Sequence, residues 1–289
     1  MLKFYKKYLS LFATLLIIVF SFIGCTSSNT TDSSKYTSTE NTMKVSYIDV
    51  GQGDSILVQV NGKTLLIDAG PNDSTDKLMS YLNKQNIKKL DFIVATHPHE
   101  DHIGAMDTVI KKYNIGEFYA PKKMTTTKTF ENMITALKSK NIKINTAAAG
   151  VSLDLGKNVK CEMIAPNGKD YENLNNYSAV IKITYGNSKF LFMGDTEKLS
   201  EKEILNKNYD ISCDVLKLGH HGSSSSSSKA FLDKTAPKIA IVSCGKNNDY
   251  GHPHKETLEE MKKRNVQVYR TDIDGSIVLI SDGKKISKQ

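Results

Sequence analysis

Short apolar runs alternate with glycine-bearing turns through most of the chain beyond Met43, and the period of each run predicts its element. Met43 to Val50 and Ser55 to Val60 are β-rich, and Asn61-Gly62 is a hairpin turn into a third strand, Lys63 to Asp68. Leu78, Tyr81 and Leu82 recur at helical spacing, which predicts a helix over Asp76 to Asn86. Leu90 to Thr96 reads as a buried strand. Helices follow from about Gly104 to Tyr113 and from Thr129 to Lys140, with β-like Phe118 to Ala120 and Ile142 to Asn145 flanking the second. Further strands are predicted over Val159 to Ala165, Ser178 to Tyr185, Ser188 to Met193, Asp214 to Gly219 and Lys238 to Ser243, and helices over Thr196 to Leu205 and Lys255 to Arg264. Gln267 to Thr271 and Ser276 to Ser281 close the chain as strands joined at Asp274-Gly275. Strands and helices interleaved in this way, with no repeat of fixed period, predict a single α+β domain of two packed sheets flanked by helices.

The first 43 residues follow another pattern. Met1 to Tyr8 carries Lys3, Lys6 and Lys7 with no acid, and Leu9 to Ile23 is an almost unbroken apolar run of fifteen residues. That predicts a signal peptide over residues 1–24, too short for a comfortable membrane span. Phe22-Ile23-Gly24-Cys25 resembles a bacterial lipobox, with Phe22 where leucine is usual, and makes Cys25 the candidate lipidation site. Residues 25–43, rich in Thr, Ser and Asn, then read as a flexible tether, and 44–289 as an extracytoplasmic domain anchored to the cell membrane as a lipoprotein. Without the three leader lysines the net charge falls from +8 to +5. That suits an anionic substrate but falls far short of a nucleic-acid coat. Cys161, Cys213 and Cys244 each lie in an apolar stretch with no CxxC spacing, which argues against a disulfide framework or a thiolate metal site.

Candidate chemistry gathers at strand ends. His97, His99, Glu100, Asp101 and His102 follow directly on the run Leu90 to Thr96, and the other histidines are the pairs His220-His221 and His252/His254, each in a loop after a predicted strand. Nitrogen and oxygen donors without thiolate suit zinc, manganese or iron. His97 and His99 are candidates for one ion, and Asp101 and His102 for a second. Asp195, after Gly194 at a strand end, is either a helix cap or the carboxylate that bridges the two ions. Asp68 is placed to orient a ligand histidine from behind. Asp54 sits in the glycine corner Gly51-Gln52-Gly53 as either a turn former or a participant in the chemistry. The last ligand is left open between His220, His221 and His252, and the serine run Ser223 to Ser228 reads as a flexible loop or part of the site.

His97-x-His99-x-Asp101-His102, Gly194-Asp195 and a late histidine resemble the metallo-β-lactamase fold, an αββα four-layer sandwich with a dinuclear site at one edge. More narrowly, Asp49-Val50-Gly51-Gln52-Gly53-Asp54-Ser55, Asn175-Asn176-Tyr177-Ser178, Leu216 to Ser223 and Tyr250-Gly251-His252-Pro253 resemble the C-terminal domain of the competence DNA-uptake protein ComEC, and the phosphorylcholine esterases of bacterial surfaces look similar too. The resemblance implies two divalent metal ions, Zn or Mn, held by His97, His99, Asp101, His102, Asp195 and His252. Asn175 or Asn176 stands where the fold usually has a further histidine. It implies Asp101 and His220 as catalytic residues, and Asp54, His220, His221 and Ser223 near substrate, with the His221 ring turned to the sheet or Asp54. The activity it implies is cleavage of phosphodiesters in DNA or RNA by a hydroxide held on the metals, with a separate DNA-uptake channel as a partner. The other implied readings are cleavage of phospholipid-like or teichoic-acid phosphocholine groups, and a non-catalytic DNA-binding module of competence.

Overall fold

A computed structural model describes residues 42–289, so the predicted leader, Cys25 and nearly all of the tether lie outside the described residues. Two sheets stack face to face. One runs, edge to edge, through Ile286–Lys288, Ile277–Ser281, Met43–Tyr47, Ile56–Val60, Lys63–Ile67, Lys89–Val94, Asn114–Ala120 and Ile144–Thr146. The other runs through Gln267–Arg270, Ile239–Val242, Val215–Lys217, Ser188–Phe192, Val180–Tyr185, Val159–Ala165 and Ser152–Leu153.

The period-2 alternation of the strands divides their side chains between layers. Val45, Tyr47, Val58 and Ile67 of the first sheet meet Ile181, Phe190, Phe192 and Ile241 of the second in a central core. Leu57, Leu66 and Ile93 point the other way, onto Leu78, Leu82, Val109, Phe130 and Leu137 of the outer helices. Leu191, Leu216 and Ala240 likewise pack on Ile204, Phe231, Leu232 and Met261. Three cores between four layers make the αββα sandwich that the sequence predicts. Among the described residues no helix is long and apolar enough to cross a membrane.

One local expectation changes. The helix expected from Gly104 starts earlier: a short turn spans Glu100–Ile103 and the helix resumes at Met106–Lys112, so His102 is helical. The two strands joined at Asp274-Gly275 fall in different sheets: Gln267–Arg270 pairs in parallel with Ile239–Val242, while Ile277–Ser281 pairs with Met43–Tyr47 in the other sheet. The helix Lys229–Thr235 was not foreseen.

The parallel strands position the site. Lys63–Ile67, Lys89–Val94 and Asn114–Ala120 run parallel in one sheet, as do Ser188–Phe192, Val215–Lys217 and Ile239–Val242 in the other. Asp68, His97, Asp195, His220 and Ser243 therefore all follow the carboxyl ends of parallel strands, where backbone leaves the ladder and side chains converge.

Candidate metal centre

Asp68 organises the floor of the site. Its buried carboxylate accepts from the Thr96 N–H at 2.7 Å and the Thr96 hydroxyl at 2.7 Å, and lies 2.8 Å from His102 Nδ1. A carboxylate at Nδ1 fixes a ring proton there, so Nε2 is the nitrogen left to meet a cation. His102 Nε2 lies 3.2 Å from Asp195 Oδ1, and both atoms are buried without a hydrogen-bond partner. Across the strand end, His97 Nε2 and His99 Nδ1 approach to 2.9 Å, and Asp195 Oδ2 is 3.7 Å from the former. One oxygen of Asp195 thus faces one set of donors and its second oxygen the other. The helix Lys198–Asn206 has Glu197, not Asp195, at its N-cap, so the capping role does not apply.

His221 completes the second set. Its Nε2 is 3.1 Å from Asp101 Oδ2 and 3.4 Å from Asp195 Oδ1, while its Nδ1 sits 2.9 Å from the Ser243 carbonyl, to which it must donate. Asp101, His102, Asp195 and His221 form one cluster of potential ligand atoms, and His97, His99 and Asp195 another. His252, expected as the last ligand, lies in neither cluster. Its ring packs 5.2 Å from that of His220 and 6.0 Å from that of His221, in the wall of the same cleft. The reason lies in the backbone: His220 and His221 are both left-handed, at φ 47° and 52°, which turns the chain sharply and drives His221 inward. Two such residues cost of order 1–3 kcal/mol each, a strain that persists where surrounding structure imposes it.

Several other expectations are corrected by burial. Asp54 is 1% exposed beneath His221 and pairs with the fully buried Lys217 at 2.7 Å, out of reach of a substrate. Burial pushes the Asp54 carboxyl up, but the Lys217 ammonium and His221 outweigh it and hold it at about 2. Gly53 permits this placement, since a Cβ there would stand 2.2 Å from the Asp101 carbonyl oxygen. Ser223 is buried and its hydroxyl lies 3.1 Å from that of Ser225, and His221, though it borders the cleft, is 1% exposed with its Nε2 turned to Asp101 and Asp195. Of the two asparagines, Asn175 borders the cleft with its carbonyl oxygen buried and unpaired, whereas Asn176 turns to the Ser200 N–H.

The serine run is pinned rather than loose. Glu201 accepts the Ser228 N–H at 2.9 Å, the Ser226 hydroxyl donates to the Thr196 carbonyl at 2.6 Å, and the Ser225 hydroxyl donates to Glu197 at 3.1 Å. Glu197 also lies 3.4 Å from His220 Nδ1, so it fixes the ring whose Nε2 stands 3.9 Å from Asp195. Glu197, Lys217, Thr96 and Ser178, whose hydroxyl accepts the Asp195 N–H at 3.0 Å, were missed by sequence reasoning. Lys217 carried a signal, as a lysine inside the apolar run Val215 to Leu218, and Ser178 lay in the motif Asn175-Asn176-Tyr177-Ser178 without a role assigned to it.

The electrostatics fit divalent ions. Burial pushes the His102 imidazole down, yet the carboxylates of Asp195, Asp101 and Asp68 hold it well above the ordinary histidine range, and His221 is raised by Asp195, Asp101 and Asp54 against the same burial. Burial holds His97 and His99 below that range, so each ring is kept neutral and offers one bare nitrogen. A cluster with surplus buried carboxylate, bare imidazole nitrogens and the orphaned atoms His102 Nε2 and Asp195 Oδ1 is suited to divalent cations.

The Lys217–Asp54 pair under this cluster gives a stability prediction. Lys217→Met strands a buried carboxylate and is expected to cost about 3–5 kcal/mol in a denaturant melt, with partial recovery in the Asp54→Leu/Lys217→Met double variant. Equal stability of Lys217→Met and wild type would show that the pair is not buried in solution.

Two sheets covered by helices, with a His/Asp cluster of two ligand sets at the ends of their parallel strands, define a metallohydrolase-type sandwich. Residues 48–246 match the Metallo-beta-lactamase superfamily, and the chain belongs to that family. Its similar proteins include ComE operon protein 3 of Bacillus subtilis, 32% identical over 81% of this chain and 32% of the relative. Competence protein ComA of Neisseria gonorrhoeae is 28% identical over 82% of this chain and 32% of its own length. The chain thus spans about a third of these curated relatives. Among solved structures it is similar to Igni18, described as a metallo hydrolase from Ignicoccus hospitalis, with a TM-score of 0.54 at 18% identity over 82% of this chain and 98% of that one.

Proposed function

We propose that this metallohydrolase is a dinuclear phosphodiesterase acting on DNA or RNA outside the cytoplasmic membrane, held there by lipid on Cys25. The observation that carries the reading is the division of Asp195: Oδ1 faces His102 and His221, and Oδ2 faces His97 and His220. His97, His99 and Asp195 would hold one ion, and Asp101, His102, His221 and Asp195 the other, with the Asn175 carbonyl oxygen a further donor beside them. Two bound ions supply a water-activating, charge-neutralising centre for displacement at phosphorus, whichever of Zn or Mn is native.

The chain's own groups do the rest. Asp68 and Ser243 fix the tautomers of His102 and His221. Asp101, between His221 and an open cleft of about 570 Å³, orients the attacking water, and His220, held by Glu197 and Ser225, contacts a phosphoryl oxygen beside Asp195. Competence relatives about three times as long support nucleic acid as the substrate and a separate DNA-uptake channel as the partner. A second reading, a phosphocholine-type diester of lipid or teichoic acid, is favoured by Asp73 and Glu100 in the cleft wall.

Turnover of bis-p-nitrophenyl phosphate and of single-stranded DNA by the purified, metal-loaded protein tests the reading. Metal-dependent cleavage of both is expected. DNA retention without turnover would instead make it a binding module of competence, and cleavage of phosphorylcholine esters alone would favour the second reading.

A further inference from the structure

We propose that Tyr250 is the platform on which one unpaired base of the substrate stacks, making it a specificity-determining residue of the cleft. The inference rests on the phosphodiesterase reading and names the part of a nucleic acid that the site takes.

Tyr250 belongs to a braced loop. Asn248 donates to the carbonyls of Gly245 and His252 and accepts the His252 N–H at 2.9 Å, while His254 lies 3.2 Å from the Tyr250 carbonyl and donates its own N–H to Gly222. On this frame the Tyr250 ring stacks on His252, centroids 5.6 Å apart and planes at 18°. His252 in turn stacks at 30° on His221, whose Nε2 meets Asp101 and Asp195. A file of rings therefore leads from the cleft mouth to the ligand cluster. Yet Tyr250 is 66% exposed, so core packing does not account for a large aromatic held in place there.

The rest of the cleft narrows the ligand. Among the described residues its lining holds no Lys or Arg, while Asp73 and Glu100 line it. Such a wall does not track a long phosphate backbone, which needs a basic groove. Stacking on an aromatic face is independent of charge and of sequence. A base within a duplex has both faces covered by its neighbours, so only an unpaired base offers one to Tyr250. A quaternary ammonium is held by aromatic cages, and among the described residues Tyr250 is the single tyrosine of this lining, with histidines as its other aromatic rings. Glu100 is already engaged by the Asn72 N–H and side-chain amide, both at 2.7 Å.

The test compares kcat/KM of the metal-loaded full chain on thymidine 5′-(p-nitrophenyl phosphate) and on methyl p-nitrophenyl phosphate, which share a leaving group and differ in the base. Tyr250→Ala is expected to lose about ten-fold or more on the thymidine ester, mainly through KM, and less than about two-fold on the methyl ester, with Tyr250→Phe close to wild type. Equal loss on both esters would make Tyr250 structural, and no loss on either would remove it from recognition. Selective loss on p-nitrophenylphosphorylcholine would assign the platform to a cationic headgroup; each of these results overturns the proposal. Should wild type cleave no diester, the phosphodiesterase reading fails, and fluorescence anisotropy with a labelled oligothymidylate still decides the platform. Binding weakened about ten-fold in Tyr250→Ala supports stacking, and unchanged binding or none in wild type overturns it.

Discussion

Asp195→Ala is expected to lower phosphodiester turnover by at least about 10³-fold and to release both metal ions, while the domain stays folded. Asp195 is shared by both ligand clusters, so in the proposed dinuclear centre its removal would take one donor from each ion. One electrostatic donor in an active site is worth about 10²–10³ in rate, and a shared carboxylate is worth more because two ions depend on it. The domain should stay folded but lose some stability, since the buried imidazoles of His102 and His221 lose the carboxylate that does most to hold them up, against which the relief of the contact with Asp101 is smaller. Circular dichroism checks the fold, and elemental analysis the metal. Retention of activity within about ten-fold would mean that Asp195 bridges nothing.

His221→Ala and His252→Ala are expected to differ by about two orders of magnitude. His221 Nε2 belongs to the cluster with Asp101, His102 and Asp195, and the Ser243 carbonyl fixes its tautomer. Its loss should release one ion and cost about 10²–10³ in kcat/KM, the scale of removing a group that stabilises developing charge. His252 stacks outside that cluster and supports Tyr250, so His252→Ala should cost less than about ten-fold and retain both ions. The reverse order would restore His252 as the ligand, as the resemblance to phosphorylcholine esterases implies.

This exchange of histidines shows where the sequence stops being legible. The layers were readable because strand alternation sorts residues such as Leu57 and Val58 onto opposite faces whatever their partners. His97, His99, Asp101 and His102 were readable because one local turn brings them together, and Asp68 because it ends a strand. The choice between His221 and His252 depends on two left-handed residues in succession, which neither composition nor period reveals for a histidine. Glu197 and Lys217 were hidden for another reason. Their partners are distant in the chain: Lys217 meets Asp54, and Glu197 meets Ser225 and Asn175. In isolation each reads as an ordinary charged residue, and only the tertiary fold gives it a task. The strand Ile277–Ser281 was legible but its sheet was not, because a turn signal such as Asp274-Gly275 cannot tell a hairpin from a crossing between sheets.

Metal stoichiometry of the purified protein, read by elemental analysis after loading with Zn²⁺ or Mn²⁺ and gel filtration, tests the dinuclear centre most directly. Two ions per chain are expected in wild type, one in His221→Ala and none retained in Asp195→Ala. A wild-type protein that retains no ion, or an Asp195→Ala variant that retains both, would contradict a centre bridged by Asp195.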